Sequence, residues 1–267
     1  MLPNKASTYT VAEGAAEDLV TVFDTQERFM AKKSLQGDVD YLLRRKMNVD
    51  VDIHQQAYPN FWLLLRAHNF APNRFMLQVD GTVISPSGSF YIYLPARTLS
   101  HWRLNPGFFE YETYISFTPA DDSFPTRPVV FPFEKSHPLQ GYDDIANLLS
   151  AYKDAPSVRS KKSCAHAEKT KRFVDDFFIE DIPLSEMAQE LRVAQSTMTI
   201  NFKNQYGIPP VQYRNILRTF ESMHLIREGR SVTAAGFDSG FQSLAQYSVH
   251  FKRHFLMPPS QFMRMAT

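Results

Sequence analysis

Between Ile182 and Phe262 the apolar residues recur at helical spacing, break off, and recur again in the same order. Leu184, Met187, Ala188 and Leu191 mark two turns of one helix, Arg192-Val193-Ala194 interrupts it, and a second helix runs from about Gln195 to Gln205. Its inward face needs Met198 and Phe202, one turn apart, and Gly207 supplies the left-handed residue that commonly ends a helix. The plan then repeats. Ser231 caps a helix carrying Val232 and Ala235, Gly240-Phe241 turns the chain, and a helix from about Ser243 to His254 buries Tyr247 and Phe251. Between the two pairs, Pro210 to Glu228 predicts a long amphipathic helix with Tyr213, Leu217, Phe220 and Leu225 on its buried stripe and Gly229 at its end. Two helix-turn-helix units on a stiff connector are therefore expected.

The first half has a different period. Residues 1–36 are weakly patterned, with Leu19, Val20, Val22 and Phe23 opening a first strand. Val49, Val51 and Ile53 alternate with Asp50 and Asp52, the mark of a half-buried strand, whereas Phe61 to Leu65 is a short run that needs burial on both faces. Phe75 to Val79 and Thr82 to Ile84 flank Asp80-Gly81, a hairpin turn. Phe90 to Leu94 and Tyr111 to Phe117 continue a series of short, evenly spaced strands that suits an antiparallel barrel or jelly roll. Pro119 to Pro138 holds five prolines and is expected to be irregular and to cover the barrel; Ile145, Leu148, Leu149 and Tyr152 predict a helix over about 142–153, packed on the barrel or pairing with a second subunit. The fold class is thus α+β: a barrel domain over 1–156, a polar basic linker over 157–165, and an all-α domain over 166–267 that opens with a helix from about His166 to Phe178.

Composition changes this picture in three places. A chain of 267 residues with 43% hydrophobic content can bury a sizeable core. The net charge of +1 conceals an asymmetry, because residues 1–156 carry 14 Lys and Arg against 18 Asp and Glu, a net of −4, and residues 157–267 carry 15 against 10, a net of +5. The excess of cations lies in the half expected to meet phosphate. Cys164 is the single cysteine, so no internal disulfide forms, and with no signal-peptide pattern at Met1 to Lys5 and no apolar run long enough to span a bilayer, a reducing cytoplasm is expected.

The C-terminal tract resembles the DNA-binding domain of the AraC/XylS family of bacterial transcription regulators. Gly240-Phe241, then Tyr247, Phe251-Lys252-Arg253-His254-Phe255 and Pro259-Ser260-Gln261-Phe262 match the family's Gly-Phe, Phe-x-x-x-Phe-Lys and Pro-Ser-x-Phe/Tyr pattern. Leu184, Ala188, Leu191, Val193, Met198, Phe202, Lys203, Gly207, Tyr213 and Arg218 agree in the first unit. The chain departs from the family at Gly236, where Ala is usual, at Leu256, where Gly is usual, at Met263 for a common Arg, and at Ile200 and Val249, where relatives often carry an arginine that reaches a base. The resemblance implies a regulator of promoter DNA, by first expectation an activator contacting RNA polymerase, whose cupin-like N-terminal barrel binds an unidentified small-molecule effector or forms a homodimer. The alternative is a sensor or interaction protein whose helical half has lost specific readout.

Residues expected to face DNA are Gln195, Ser196, Thr197, Thr199, Ile200 and Lys203 in the first unit and Gln242, Ser243, Gln246, Val249, Lys252 and Arg253 in the second, with Ser248 beside them. A recognition helix lies in the major groove, and two such helices on one face of a duplex stand about 34 Å apart. Lys203, Arg218, Lys252 and Arg253 are candidate phosphate partners. In the barrel, Arg44 and Arg45, followed by Lys46, together with Arg66 and Arg74, are candidates for binding an anionic effector, although cations also serve to blunt an exposed sheet edge. His54, His68 and His101 are scattered without a His-x-His pair, and the chain has no Gly-rich phosphate loop and no Gly-x-Ser-x-Gly elbow. A metal site, a cofactor and an enzymatic activity are therefore not expected. Cys164 lies beside Lys161, Lys162 and His166, a setting for redox sensitivity, with an inert exposed thiol as the plainer reading.

Overall fold

Alternation in the first half resolves into two antiparallel sheets. The computed structural model describes residues 19–24, 28–49, 52–132, 139–158 and 164–266. The larger sheet contains β1 (Val20–Asp24), β2 (Arg28–Leu35), β3 (Val39–Val49), β5 (Trp62–Phe70), β8 (Gly88–Leu94), β10 (Gly107–Ser116) and β11 (Val129–Pro132), in the order β1-β2-β3-β10-β5-β8-β11. The smaller contains β4 (Asp52–Gln56), β6 (Phe75–Val79), β7 (Thr82–Ile84) and β9 (Ser100–Leu104), in the order β4-β9-β6-β7. The strand expected across Val49 to Ile53 is divided: the chain leaves the larger sheet at Val49 and joins the smaller at Asp52. No local pattern marks such a crossing between sheets, and β2 and β9 likewise lie where no strand was singled out in the sequence.

The wholly apolar runs belong to strands covered on both faces. Along β5, Leu63, Leu65 and Ala67 enter the core between the sheets, while Trp62 and Leu64 join a second core on the outer face, under α1 (Tyr142–Ser150). β8 divides in the same way, with Phe90, Ile92 and Leu94 inward and Tyr91 and Tyr93 outward. The proline-rich segment supplies Phe124 to that outer core, but it is not irregular throughout, since Val129–Pro132 pairs with β8 as the edge strand β11 and buries Val129 and Phe131 there. The outer face also buries an ion pair. Arg66 Nη1 donates to Glu112 Oε2 at 3.0 Å, Tyr114 donates to the same oxygen at 3.0 Å, and His68 Nε2 stands 3.4 Å from the other carboxylate oxygen. These partners hold the Glu112 carboxyl below its ordinary range against the upward push of burial.

The helical half runs through α2 (Ala165–Phe177), α3 (Leu184–Glu190), α4 (Gln195–Tyr206), α5 (Pro210–Arg227), α6 (Val232–Asp238), α7 (Leu244–Phe255) and α8 (Pro259–Ala266). The Pro259-Ser260 stretch, expected only as a closing motif, begins a further helix that sets Phe262 against Phe251 and Phe255. Residues 159–163, most of the basic linker, lie outside the described residues. The core between the sheets continues into this half without interruption.

Candidate nucleic-acid interface and effector cavity

Each turn is built by the same hydrogen bonds. Leu191, Arg192 and Val193 donate backbone N–H to Met187, Gln189 and Ala188; Ser239, Gly240 and Phe241 donate to Ala235, Phe237 and Gly236. The second unit thus follows the first at an offset of 48 residues, and the reading helices that come after follow at 49, since the extra residue Gln242 lengthens the second turn. In both, the chain turns through a positive φ, 52° at Arg192 and 95° at Gly240. A side chain is tolerated at exposed Arg192, whereas a Cβ at Gly240 would run into the Ile179 carbonyl.

The buried faces are those the spacing demanded. Met198, Phe202, Tyr247 and Phe251 are fully buried. That leaves Gln195, Ser196, Thr197, Ile200 and Lys203 exposed on α4, and Gln242, Gln246, Ser248, Val249, Lys252 and Arg253 exposed on or before α7, with Thr199 and Ser243 half-buried. The offset aligns Thr197 with Gln246, Ile200 with Val249 and Lys203 with Lys252. It also aligns Asn204 with Arg253; Asn204 is exposed and was passed over, although the internal repeat pointed to it. Neither Ala194 nor Ser243 makes a side-chain cap, so the first-turn N–H groups of both helices are left for solvent or phosphate.

Arg218 is a correction. It is buried, and its Nε donates to Phe178 O at 2.5 Å while Nη2 donates to Glu180 O at 2.8 Å and Ile179 O at 3.4 Å. Burial pulls its guanidinium down to about 10, so it stays charged at neutral pH and ties the α2–α3 connection to α5. Helix α5 has 18 residues, about 27 Å at 1.5 Å per residue. With eleven of its side chains buried, Ile216, Leu217 and Thr219 among them, it is held as a rigid strut.

The C-terminal ends of the reading helices meet the barrel. Gly81 lies against the Gln205 carbonyl, and a Cβ at Gly207 would press on the His101 ring. Gln212 Nε2 donates to Gln55 Oε1 at 2.6 Å, and Lys171 Nζ donates to Arg97 O at 2.6 Å. Arg227 binds Asp38 at 2.8 Å and Asp40 at 3.2 Å and covers the Phe117 ring at 4.0 Å. Burial raises the Asp40 carboxyl despite Arg227. At the end of α7, burial and then the charges of Arg253 and His250 push His254 down to about 4.

Beside that end lies a cavity of about 260 Å³ lined from both halves. The barrel contributes Lys32, Arg44, Arg45, Tyr58 and Trp102 among others, and the helical half contributes Phe220, Arg227, His254 and Leu256. Arg44 Nε is buried there without a hydrogen-bond partner among the described residues, whereas Arg45 is held by Glu110 at 2.6 Å. Of the other two arginines named from sequence, Arg66 is on the opposite face of the sheet with Glu112, and Arg74 binds the Pro106 carbonyl at the surface; neither lines the cavity. Lys32 and Arg227, which do, were not legible beforehand, because 195 positions of chain separate them.

Residues 187–265 match a family model described as a helix-turn-helix domain. The chain is 26% identical over 222 residues to the HTH-type transcriptional activator RhaS of Escherichia coli, covering 79% of this chain and 72% of that one. It is 31% identical over 113 residues to RhaS of Klebsiella pneumoniae, 42% and 41% of the two chains. ToxT of Vibrio cholerae shares the two-part fold, with a TM-score of 0.52 at 15% identity over 86% of this chain and 98% of ToxT. With its paired reading helices exposed and residues 187–265 matched by the helix-turn-helix model, the chain is a DNA-binding transcription regulator, and its resemblance to the AraC/XylS family is supported by the RhaS relatives.

Proposed function

We propose that the chain is a cytoplasmic, effector-controlled activator. Residues 1–156, together with the facing residues of α5, α7 and α8, hold the effector, and 166–267 bind promoter DNA and contact RNA polymerase. The exposed faces of α4 and α7 supply the DNA contacts, and the cavity supplies the control. The observation that carries the effector reading is the position of this cavity, walled by barrel residues on one side and by α5, α7 and α8 on the other. A molecule filling it bears directly on how the helical half is held.

Its chemistry suits an apolar acid. Aromatic and aliphatic walls favour a hydrocarbon body, and Arg44 offers an unused buried donor to a carboxylate. Arg227 offers a second cation if the acid displaces Asp40, which would loosen a link between the halves. Two ToxT structures, one with an aryl-butenoic acid and one with an unsaturated fatty acid, support a ligand of this class in this fold.

The test titrates the full chain calorimetrically with an unsaturated fatty acid and with its methyl ester. The acid should bind about tenfold tighter or better, the worth of a charge-assisted hydrogen bond, and Arg44→Met should erase that preference. Equal binding of acid and ester, or no binding of either, would overturn the assignment. Transcription from a promoter bound by the chain should then change with the acid and not with the ester.

A further inference from the structure

Both reading helices present a β-branched aliphatic side chain at their sixth residue: Ile200 on α4 and Val249 on α7, 57% and 68% exposed. The two positions are equivalent under the 49-residue offset, and each is surrounded by exposed polar residues, Thr197 and Lys203 in one helix and Gln246 and Lys252 in the other. Isolated apolar residues on a surface need no explanation. Two of one chemical kind, at matched positions on the two helices that face DNA, do. Neither contributes to the cores, since the inward stripes are complete with Met198, Phe202, Tyr247 and Phe251.

We infer that Ile200 and Val249 read thymine 5-methyl groups, one in each half-site, so that the chain selects duplexes carrying thymine at one defined step of both. The major groove exposes one apolar feature, that methyl group, and an aliphatic side chain can recognise it only by contact. Branching at Cβ fixes χ1 and presents the methyls with little entropy to lose. Neither residue can form the forked hydrogen bonds that identify guanine, so direct readout at these two positions is of thymine. The hydroxyls beside them, Thr199 and Ser248, add hydrogen bonds of low discrimination.

The inference rests on α4 and α7 entering the groove, and its test separates the two. The full chain is used to enrich duplexes from a randomised library, and the enriched duplex is resynthesised with deoxyuridine replacing each thymine in turn, which removes the methyl and leaves pairing intact. One replacement in each half-site should weaken Kd about fourfold, the burial of a single methyl, and the two together about fifteenfold. Ile200→Ser should abolish the sensitivity in one half-site and Val249→Ser in the other, since serine keeps no methyl to touch the base, both variants keeping the wild-type unfolding midpoint because the sites are exposed. A preferred duplex whose affinity is indifferent to every deoxyuridine, or whose sensitivity survives both variants, overturns the inference and leaves DNA binding intact. A library from which no duplex is enriched overturns both.

Discussion

The two helix-turn-helix units share a plan and differ in what each leans against. The first ends at Gly207 in the left-handed region, φ 79°, set against His101 on the smaller sheet. The second ends at Leu256 in the same conformation, φ 60°, and its last turn, His254 to Leu256, lines the cavity. The first helices differ as well. Ala188 in α3 corresponds to Gly236 in α6, where a Cβ would stand 2.7 Å from the Tyr247 ring. The first unit is therefore capped and packed conventionally, while the second carries a strained cap and a tight helix crossing next to the proposed effector. An effector filling the cavity, as proposed, would bear on the second unit, the one whose end the cavity touches.

The largest expected effect falls on what the units share. Arg218→Leu leaves the carbonyls of Phe178 and Glu180 without their donor in a buried turn, and should cost about 3 kcal/mol, read as the loss of denaturation midpoint in urea. A midpoint within error of the wild type would show that the tie between α5 and the α2–α3 connection is dispensable.

The helix crossing comes next. Gly236→Ala gains helix propensity but forces a methyl onto a fully buried ring, a net loss of about 1 kcal/mol. Ala188→Gly, the reciprocal change in the first unit, should cost about 1–2 kcal/mol through lost helix propensity and the loss of a buried methyl. If Gly236→Ala instead stabilises the chain, the tight crossing does not distinguish the units.

The caps give opposite signs. Gly207→Ala places a Cβ at φ 79° against the His101 ring and should destabilise by about 1 kcal/mol, while Leu256→Gly relieves a non-glycine left-handed residue and should raise the unfolding midpoint by about 3 °C. Thermal scans of the two variants side by side decide this; parallel shifts would remove the claim of strain at Leu256.

A further effect is on pH. The folded chain keeps His254 neutral down to about pH 4, whereas the unfolded chain takes up its proton near 6.5. This contribution is whole above 6.5 and is lost progressively as pH falls towards 4. His250, lowered by burial and by Arg253, acts in the same direction, while the raised carboxyls of Asp40, Asp175 and Glu221 act in the opposite one. The isolating measurement is the difference between wild type and His254→Gln in unfolding midpoint at about pH 7 and about pH 5. The gap between the two chains should narrow at the lower value, and a gap that stays constant would rule out His254 as the titrating group.

What could be read from the chain alone was periodic. Helical spacing placed α4, α5 and α7 to within a residue or two and sorted Met198, Phe202, Tyr247 and Phe251 inward, because a helix repeats every few residues and its buried stripe is written locally. The hairpin at Asp80-Gly81 was equally local. The cavity was not, since Lys32, Arg44, Arg227 and His254 come together only when the barrel and α5 are packed side by side. Nor was the burial of Arg218, whose charge alone suggested phosphate, or the fate of Arg66, which period-2 geometry turned to the opposite face from Arg44. Sequence determines what each segment buries; which buried faces meet, and which cations are left without an anion between them, is decided by contacts between residues far apart in the chain.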